Sequence, residues 1–267
     1  MFKKILLTII TLSFIGIASV LLIKNYNQNQ NIKQLLEQNL DGRLMPHKVN
    51  YKNKLHNILS SDLHCFEFDL NFNEKATVPY FEVGHDEKEL KGVSFEDYLN
   101  IIKDKKIKKI WMDVKNVSDE NIAKMLERLN YLDKKYGIKN RIIFETSSTS
   151  SKVKLLSNTG YHTSYYLPIT YFISKSSDKN SQTLKQQIIN QGLKAVSFPS
   201  ILYNYVNHEL KPIISNDIVF HTWATYKFKN KDELKKIQKE EFYNDSRVKT
   251  ILFTYDNNKL NRLYDFN

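Results

Sequence analysis

The sequence predicts an α/β fold: a (β/α)8 TIM barrel preceded by an N-terminal transmembrane helix. Three observations carry this. An uncharged, apolar run occupies residues 5–23. From residue 44 onward, eight short β-rich runs follow one another, most of them separated by helical patterns. Strands alternating with helices favour a parallel sheet, and eight such units in about 220 residues fit a closed barrel. An open doubly wound sheet is the alternative.

Composition narrows the function classes. The 267 residues are 41% apolar and 26% charged, enough for a sizeable core and incompatible with wholesale disorder. A single cysteine excludes an internal disulfide and a multi-cysteine zinc site. There are seven glycines, where average usage would give about 19, and neither G-x-G-x-x-G nor a Walker-type motif occurs. A Gly-rich phosphate cradle is therefore not expected. The charge balance of 40 basic against 29 acidic residues, a formal +11, reads either as attraction to anionic partners or, in a chain rich in Lys, Asn and Ile and poor in Arg and Gly, as compositional bias, and the second reading is preferred. The lysine runs at 102–109 and 228–239 lack the arginine clusters and interleaved aromatics of a nucleic-acid groove, so no nucleic acid is expected as a partner.

The elements follow in order. The apolar run has the ~20 residues that cross a bilayer core, longer than the ~7–15 of a cleaved signal peptide. Lys3 and Lys4 precede it and Lys24 follows. Lysines in so short a leading tail place the N-terminus in the cytoplasm and the rest of the chain outside it. Residues 1–24 are thus read as an anchor, with a signal peptide as the alternative. Residues 25–42 read as a polar, Asn/Gln-rich tether or short juxtamembrane helix, and 43–267 as a single barrel domain. Its strand candidates are Leu44–Val49, His64–Leu70, Lys109–Val114, Arg141–Glu145, Thr163–Leu167, Ala195–Phe198, Ile218–Trp223 and Thr250–Thr254. Between them, Ser94 opens a helix with Asp97 at capping-box spacing. Ser118 opens another that stops at Gly137, and 181–192 and 231–242 are further amphipathic stretches.

Polar residues concentrate where a barrel keeps its chemistry, at the C-terminal ends of strands. Glu67 and Asp69 share one face of the second strand because side chains alternate. Two carboxylates in a barrel mouth repel each other, and a bound divalent cation removes the conflict. All-oxygen ligation favours Mg2+ or Ca2+. On the third strand Asp113 can supply a further metal oxygen and Lys115 can hold a phosphate oxygen. Glu145 ends the fourth strand. His47, at the end of the first strand, and His85, in the loop after the second, border this cluster as candidate proton carriers. His221 lies in the seventh strand near Trp223. His56, His64, His162 and His208 have no comparable placement, and Cys65 reads as a small core residue.

The segments His47-Lys48-Val49-Asn50, Phe66-Glu67-Phe68-Asp69-Leu70, Val83-Gly84-His85-Asp86 and Trp111-Met112-Asp113-Val114-Lys115-Asn116 resemble, in order and spacing, the glycerophosphodiester phosphodiesterase-like superfamily of TIM barrels. The His-x-Val-Asn form is nearer to its menorin-type branch. The Asp-x-Lys pair and Trp223 are also similar to the sphingomyelinase D-type phospholipases. The likeness spans about residues 44–256. It implies metal binding by Glu67, Asp69 and Asp113, and an acid/base or nucleophile pair in His47 and His85. It implies a substrate-phosphate contact for Lys115, and substrate-side positions for Glu145 and Trp223. Two departures stand out: Lys48 replaces the usual arginine, and the Pro-Glu-Asn segment is absent. The expected function is a membrane-anchored, metal-dependent phosphodiesterase acting, outside the cytoplasm, on a glycerophosphodiester, a lysophospholipid headgroup or a cell-envelope phosphodiester polymer. The alternatives are a non-catalytic envelope protein that retains the barrel, and a glycoside hydrolase using Glu67 and Glu145. The last leaves the histidines and Lys115 unexplained.

Overall fold

The computed structural model of the protein describes residues 2–37, 42–61, 63–169 and 177–255. It opens with a long helix, α1 (Phe2–Leu36), which continues through most of the segment read as a tether. Near its end, Ile32, Leu35 and Leu36 are buried, the i, i+3, i+4 spacing by which one helix face docks. Further up the helix Ile15, Ile17, Val20, Leu21, Leu22 and Ile23 are exposed. Among the described residues no helix is long and apolar enough to cross a membrane, so the expected span is not found among them. The side chains of residues 5–12 and 14, part of that run, lie outside the described ones.

Nine strands form one sheet: β1 (Leu44–Pro46), β2 (Cys65–Asn73), β3 (Tyr80–Val83), β4 (Lys109–Val114), β5 (Ile142–Thr146), β6 (His162–Tyr166), β7 (Ala195–Pro199), β8 (Val219–Phe228) and β9 (Val248–Tyr255). Their order is β1-β9-β8-β7-β6-β5-β4-β2-β3. Every pairing is parallel except that of β3. All eight expected strands are present. The first strand pairs with the last, as a barrel requires and a doubly wound sheet does not. β1 and β2 meet at a seam without a ladder. It is bridged by the Val49 N–H to the Glu67 carbonyl at 2.8 Å and by Cys65 Sγ to the Leu44 carbonyl at 3.3 Å.

Three expectations are corrected. The first strand stops at Pro46 instead of Val49, because Lys48 turns the chain with a φ of 55°. The second strand runs on to Asn73 and folds back as a hairpin with β3. Phe72 and Phe81 hold that hairpin together at 4.9 Å between ring centroids. The stretch 231–242 is broken into Lys231–Lys235, a 3-10 turn and Glu241–Asn244, with Glu240 in extended backbone.

The connecting helices are α2 (Lys52–Leu59), α3 (Phe95–Ile102), α4 (Ile122–Tyr136), α5 (Lys154–Asn158) and α6 (Ser177–Gln191). Ser94 and Asp97 form the expected capping box at the start of α3. Helix α4 begins four residues after Ser118, because Asn121 bonds back to Ser118 and Asn116 and holds that stretch as a turn. Gly137 ends α4 at a φ of 62°, where glycine carries no Cβ penalty. Two cores result. One lies between sheet and helices, where Phe68 packs on Phe95 and Tyr98 of α3 at 5.4 Å. The other, inside the barrel, is Met45, Trp111, Ile143 and Leu252. The register sets Asp69 beside Asp113, and Asp113 beside Glu145, at one end of this inner layer.

Candidate active site

The segment after β1 is shaped by backbone geometry. The His47 N–H bonds to the Phe253 carbonyl at 2.9 Å, continuing the pairing by one residue. Lys48 then turns left-handed, which aims its N–H at Glu67 Oε2, 2.6 Å away. A non-glycine residue in this region is strained and needs support. Lys54 provides it: its buried ammonium donates to the carbonyls of His47 at 2.6 Å and Lys48 at 3.2 Å. The His47 ring is held at both nitrogens, with Nδ1 2.8 Å from Thr254 Oγ1 and Nε2 3.5 Å from Glu67 Oε2.

Three acids converge beside it. One carboxylate oxygen each from Glu67, Asp69 and Asp113 lies within 4.8 Å of the others. Glu67 and Asp69 are each only 1% exposed. Lys115 Nζ sits 2.8 Å from Asp69 Oδ1 and also bonds Asp113. Asn50 grips Asp69 from the other side, donating to Oδ2 at 2.8 Å and accepting the Asp69 N–H at 2.9 Å. Glu67 Oε1 is buried and has no partner among the described residues. Burial, then the charges of Asp69 and Asp113, push the Glu67 carboxyl well above its usual pKa. Burial pushes Asp69 up as well, but the Lys115 ammonium and the bonds from Lys115 and Asn50 outweigh it and leave Asp69 lowered. Asp113 is raised by burial, against the pull of Lys115. Burial takes His47 down to about 3, against the opposing charge of Asp69.

His47, Glu67, Asp69, His85, Asp113, Lys115, Glu145 and Trp223, the eight site residues read from sequence, all line one cavity of about 140 Å3. His85 stands at the rim, 45% exposed, with Nδ1 3.9 Å from Asp86. Glu145 is buried, bonded by Trp111 Nε1 at 3.1 Å and by the Ser197 hydroxyl. Its pKa is pushed well up by burial and by Asp113. Trp223 stacks on Tyr166 at 5.3 Å and 21°. Lys48, Tyr166 and Leu252 complete the lining. The sequence reading gave these three no place in the site. Tyr166 closes β6 two residues beyond Ser164, which lies opposite Glu145, and a search for carboxylates and histidines alone passes over it.

Fold and site together define an α/β barrel whose mouth joins a carboxylate cluster, a lysine and two imidazoles. No family model and no curated protein matches the chain. Solved structures do. A protein of Agrobacterium tumefaciens, described as a glycerophosphoryl diester phosphodiesterase, superposes with a TM-score of 0.55 at 12% identity, over 83% of this chain and 96% of that one. One of Galdieria sulphuraria, described as a glycerophosphodiester phosphodiesterase, gives 0.54 at 13%, over 79% and 93%. A glycerophosphodiester phosphodiesterase of Parabacteroides distasonis gives 0.53 at 12%, over 79% and 92%. At these identities the likeness is one of fold, that of the glycerophosphodiester phosphodiesterase barrels.

Proposed function

We propose that the protein is a metal-dependent phosphodiesterase acting on a glycerophosphodiester or a related phospholipid-derived diester. One observation carries the reading: four carboxylates, three of them clustered, share a single cavity with two lysines and two imidazoles. The fold of the structural neighbours agrees with it. The unpartnered, buried Glu67 Oε1 fits a cation, since a buried acceptor without a partner costs about 1–3 kcal/mol. Glu67, Asp69 and Asp113 would hold Mg2+ or Ca2+, which supplies Lewis-acid stabilisation of charge on a non-bridging phosphate oxygen.

The chain's own groups do the rest. Lys115 lies against Asp69 and Asp113 and can bond a second phosphate oxygen. His47 is neutral at physiological pH because burial disfavours its cation. Its Nε2 therefore acts as nucleophile at phosphorus or as base toward water, while the Nδ1 bond to Thr254 fixes the ring. His85, exposed at the rim, delivers a proton to the departing alkoxide as the P–O bond breaks. The Tyr166–Trp223 wall receives the alcohol. The His-Lys-Val-Asn form at 47–50 supports a place near the menorin-type branch.

The test is hydrolysis of bis(p-nitrophenyl) phosphate by the full chain, with Mg2+ and with EDTA. We expect activity that EDTA abolishes and that His47→Ala lowers by at least about 100-fold. Full activity in EDTA would remove the metal, and unchanged activity in His47→Ala would remove the assigned base. No hydrolysis together with no Mg2+ binding would favour a non-catalytic envelope protein.

A further inference from the structure

We propose that Glu89 is a positioning residue: through the side-chain amide of Asn50 it ties the backbone of His85 to the carboxylate of Asp69. The proton-carrying loop and the acid cluster are then set as one unit. The roles of His85 and Asp69 rest on the phosphodiesterase reading above; the bridge itself does not.

The hydrogen-bond chemistry of Asn50 leaves one arrangement. The Asp69 N–H can only donate, so the atom facing it at 2.9 Å must be the Asn50 carbonyl oxygen. The Asn50 NH2 then faces two carboxylates, Asp69 Oδ2 at 2.8 Å and Glu89 Oε2 at 3.3 Å, and an amide NH2 has one hydrogen for each. Glu89 Oε2 accepts a second bond, from the His85 N–H at 3.0 Å. One oxygen thus joins Asn50 to His85, and Asn50 joins Glu89 to Asp69. Holding Oδ2 this way leaves Asp69 Oδ1 turned to Lys115.

The loop has other ties to β2, but among the described residues none of them starts from His85. The Gly84 N–H bonds to the Asp69 carbonyl at 3.0 Å, and Asn71 Nδ2 to the Gly84 carbonyl at 2.8 Å. The His85 ring is exposed and its nearest ionic neighbour, Asp86, stands 3.9 Å away. Its placement therefore comes from its backbone, and Glu89 is what holds that backbone N–H. Among the described residues Glu89 is not one of the acids whose oxygens cluster within 4.8 Å, so a bridging role suits it better than a ligating one. A displacement of about 1 Å in a reacting group can cost 100-fold in rate.

Glu89→Ala and Glu89→Gln in the full chain test this, with kcat and KM for bis(p-nitrophenyl) phosphate and amide hydrogen exchange at His85 as readouts. In Glu89→Ala we expect kcat to fall about 10–100-fold, the usual cost of removing a group that orients a site residue, with KM within about threefold. Glu89→Gln keeps an acceptor for the His85 N–H and should recover most of the loss. A purely structural role would lower the melting temperature and leave this split and this rescue absent. A kcat within about twofold of the parent in Glu89→Ala, or Gln no better than Ala, overturns the proposal. If the parent chain hydrolyses no diester, the phosphodiesterase reading fails and the bridge is judged on exchange alone. About tenfold faster exchange at His85 in Glu89→Ala upholds it, and unchanged exchange overturns it.

Discussion

Glu67 shows how the site sets chemistry against stability. It is 1% exposed, receives one N–H from Lys48, and has Oε1 unpartnered. Burial and two neighbouring acids raise its pKa well above the usual value. A carboxyl whose folded pKa is raised contributes most to stability below its unfolded pKa, and that contribution is lost as pH rises through the folded value. Glu67→Gln keeps an acceptor for Lys48 and carries no charge. In metal-free buffer at neutral pH it should be more stable than the parent by about 0.5–2 kcal/mol in urea melts. The advantage should shrink as pH falls toward 4.5, and Mg2+ binding should be lost. An advantage over the parent no larger at pH 7 than at pH 4.5 would sink the argument. The strand-end acids were legible in the sequence because alternation along β2 and β4 is a local property. The roles of Asn50, Lys54 and Glu89 were not, because each depends on where the left-handed turn at Lys48 or the loop at Gly84 brings it.

At the scale of elements, the hairpin of β2 and β3 and the loop it carries matter most. Gly84 adopts a φ of 152°, and a Cβ there would meet the Glu89 carbonyl carbon at 3.0 Å, backbone that cannot swing aside. Gly84→Ala should therefore cost about 1–3 kcal/mol in denaturant melts and lower kcat along with it. An alanine variant with unchanged stability and rate would show that the loop relaxes freely. The sequence reading treated residues beyond Leu70 as loop. Asn71 and Asn73 are poor strand formers on propensity, and only the pairing with Tyr80–Val83 makes them strand. The capping box at Ser94 was legible because a cap is encoded within four residues. The break near Glu240 was not, since a helical spacing of apolar residues persists across it.

At the scale of the molecule, strand order followed from the alternation of elements. The seam between β1 and β2 did not, because it lacks a ladder and owes its closure to single bonds at Val49 and Cys65. The long helix raises a separate matter. We propose that it anchors the chain to a membrane with the barrel outside the cytoplasm; the exposed apolar residues from Ile15 to Ile23 are those such an anchor would bury. The full chain should then sediment with membranes and resist alkaline washing, and a chain lacking residues 1–24 should not. A full chain released by the wash would refute an integral anchor.

The bond between His47 and Thr254 spans 207 positions. During synthesis the imidazole leaves the ribosome 207 positions ahead of its partner. Between those moments β1 has no β9 to lie against, since Leu44 pairs with Ile251 and Pro46 with Phe253. Closing so distant a pair costs more loop entropy than local contacts do and falls late in folding. A nascent chain therefore carries its acids on β2 and β4 well before it holds an oriented His47, and competence arrives with the last strand.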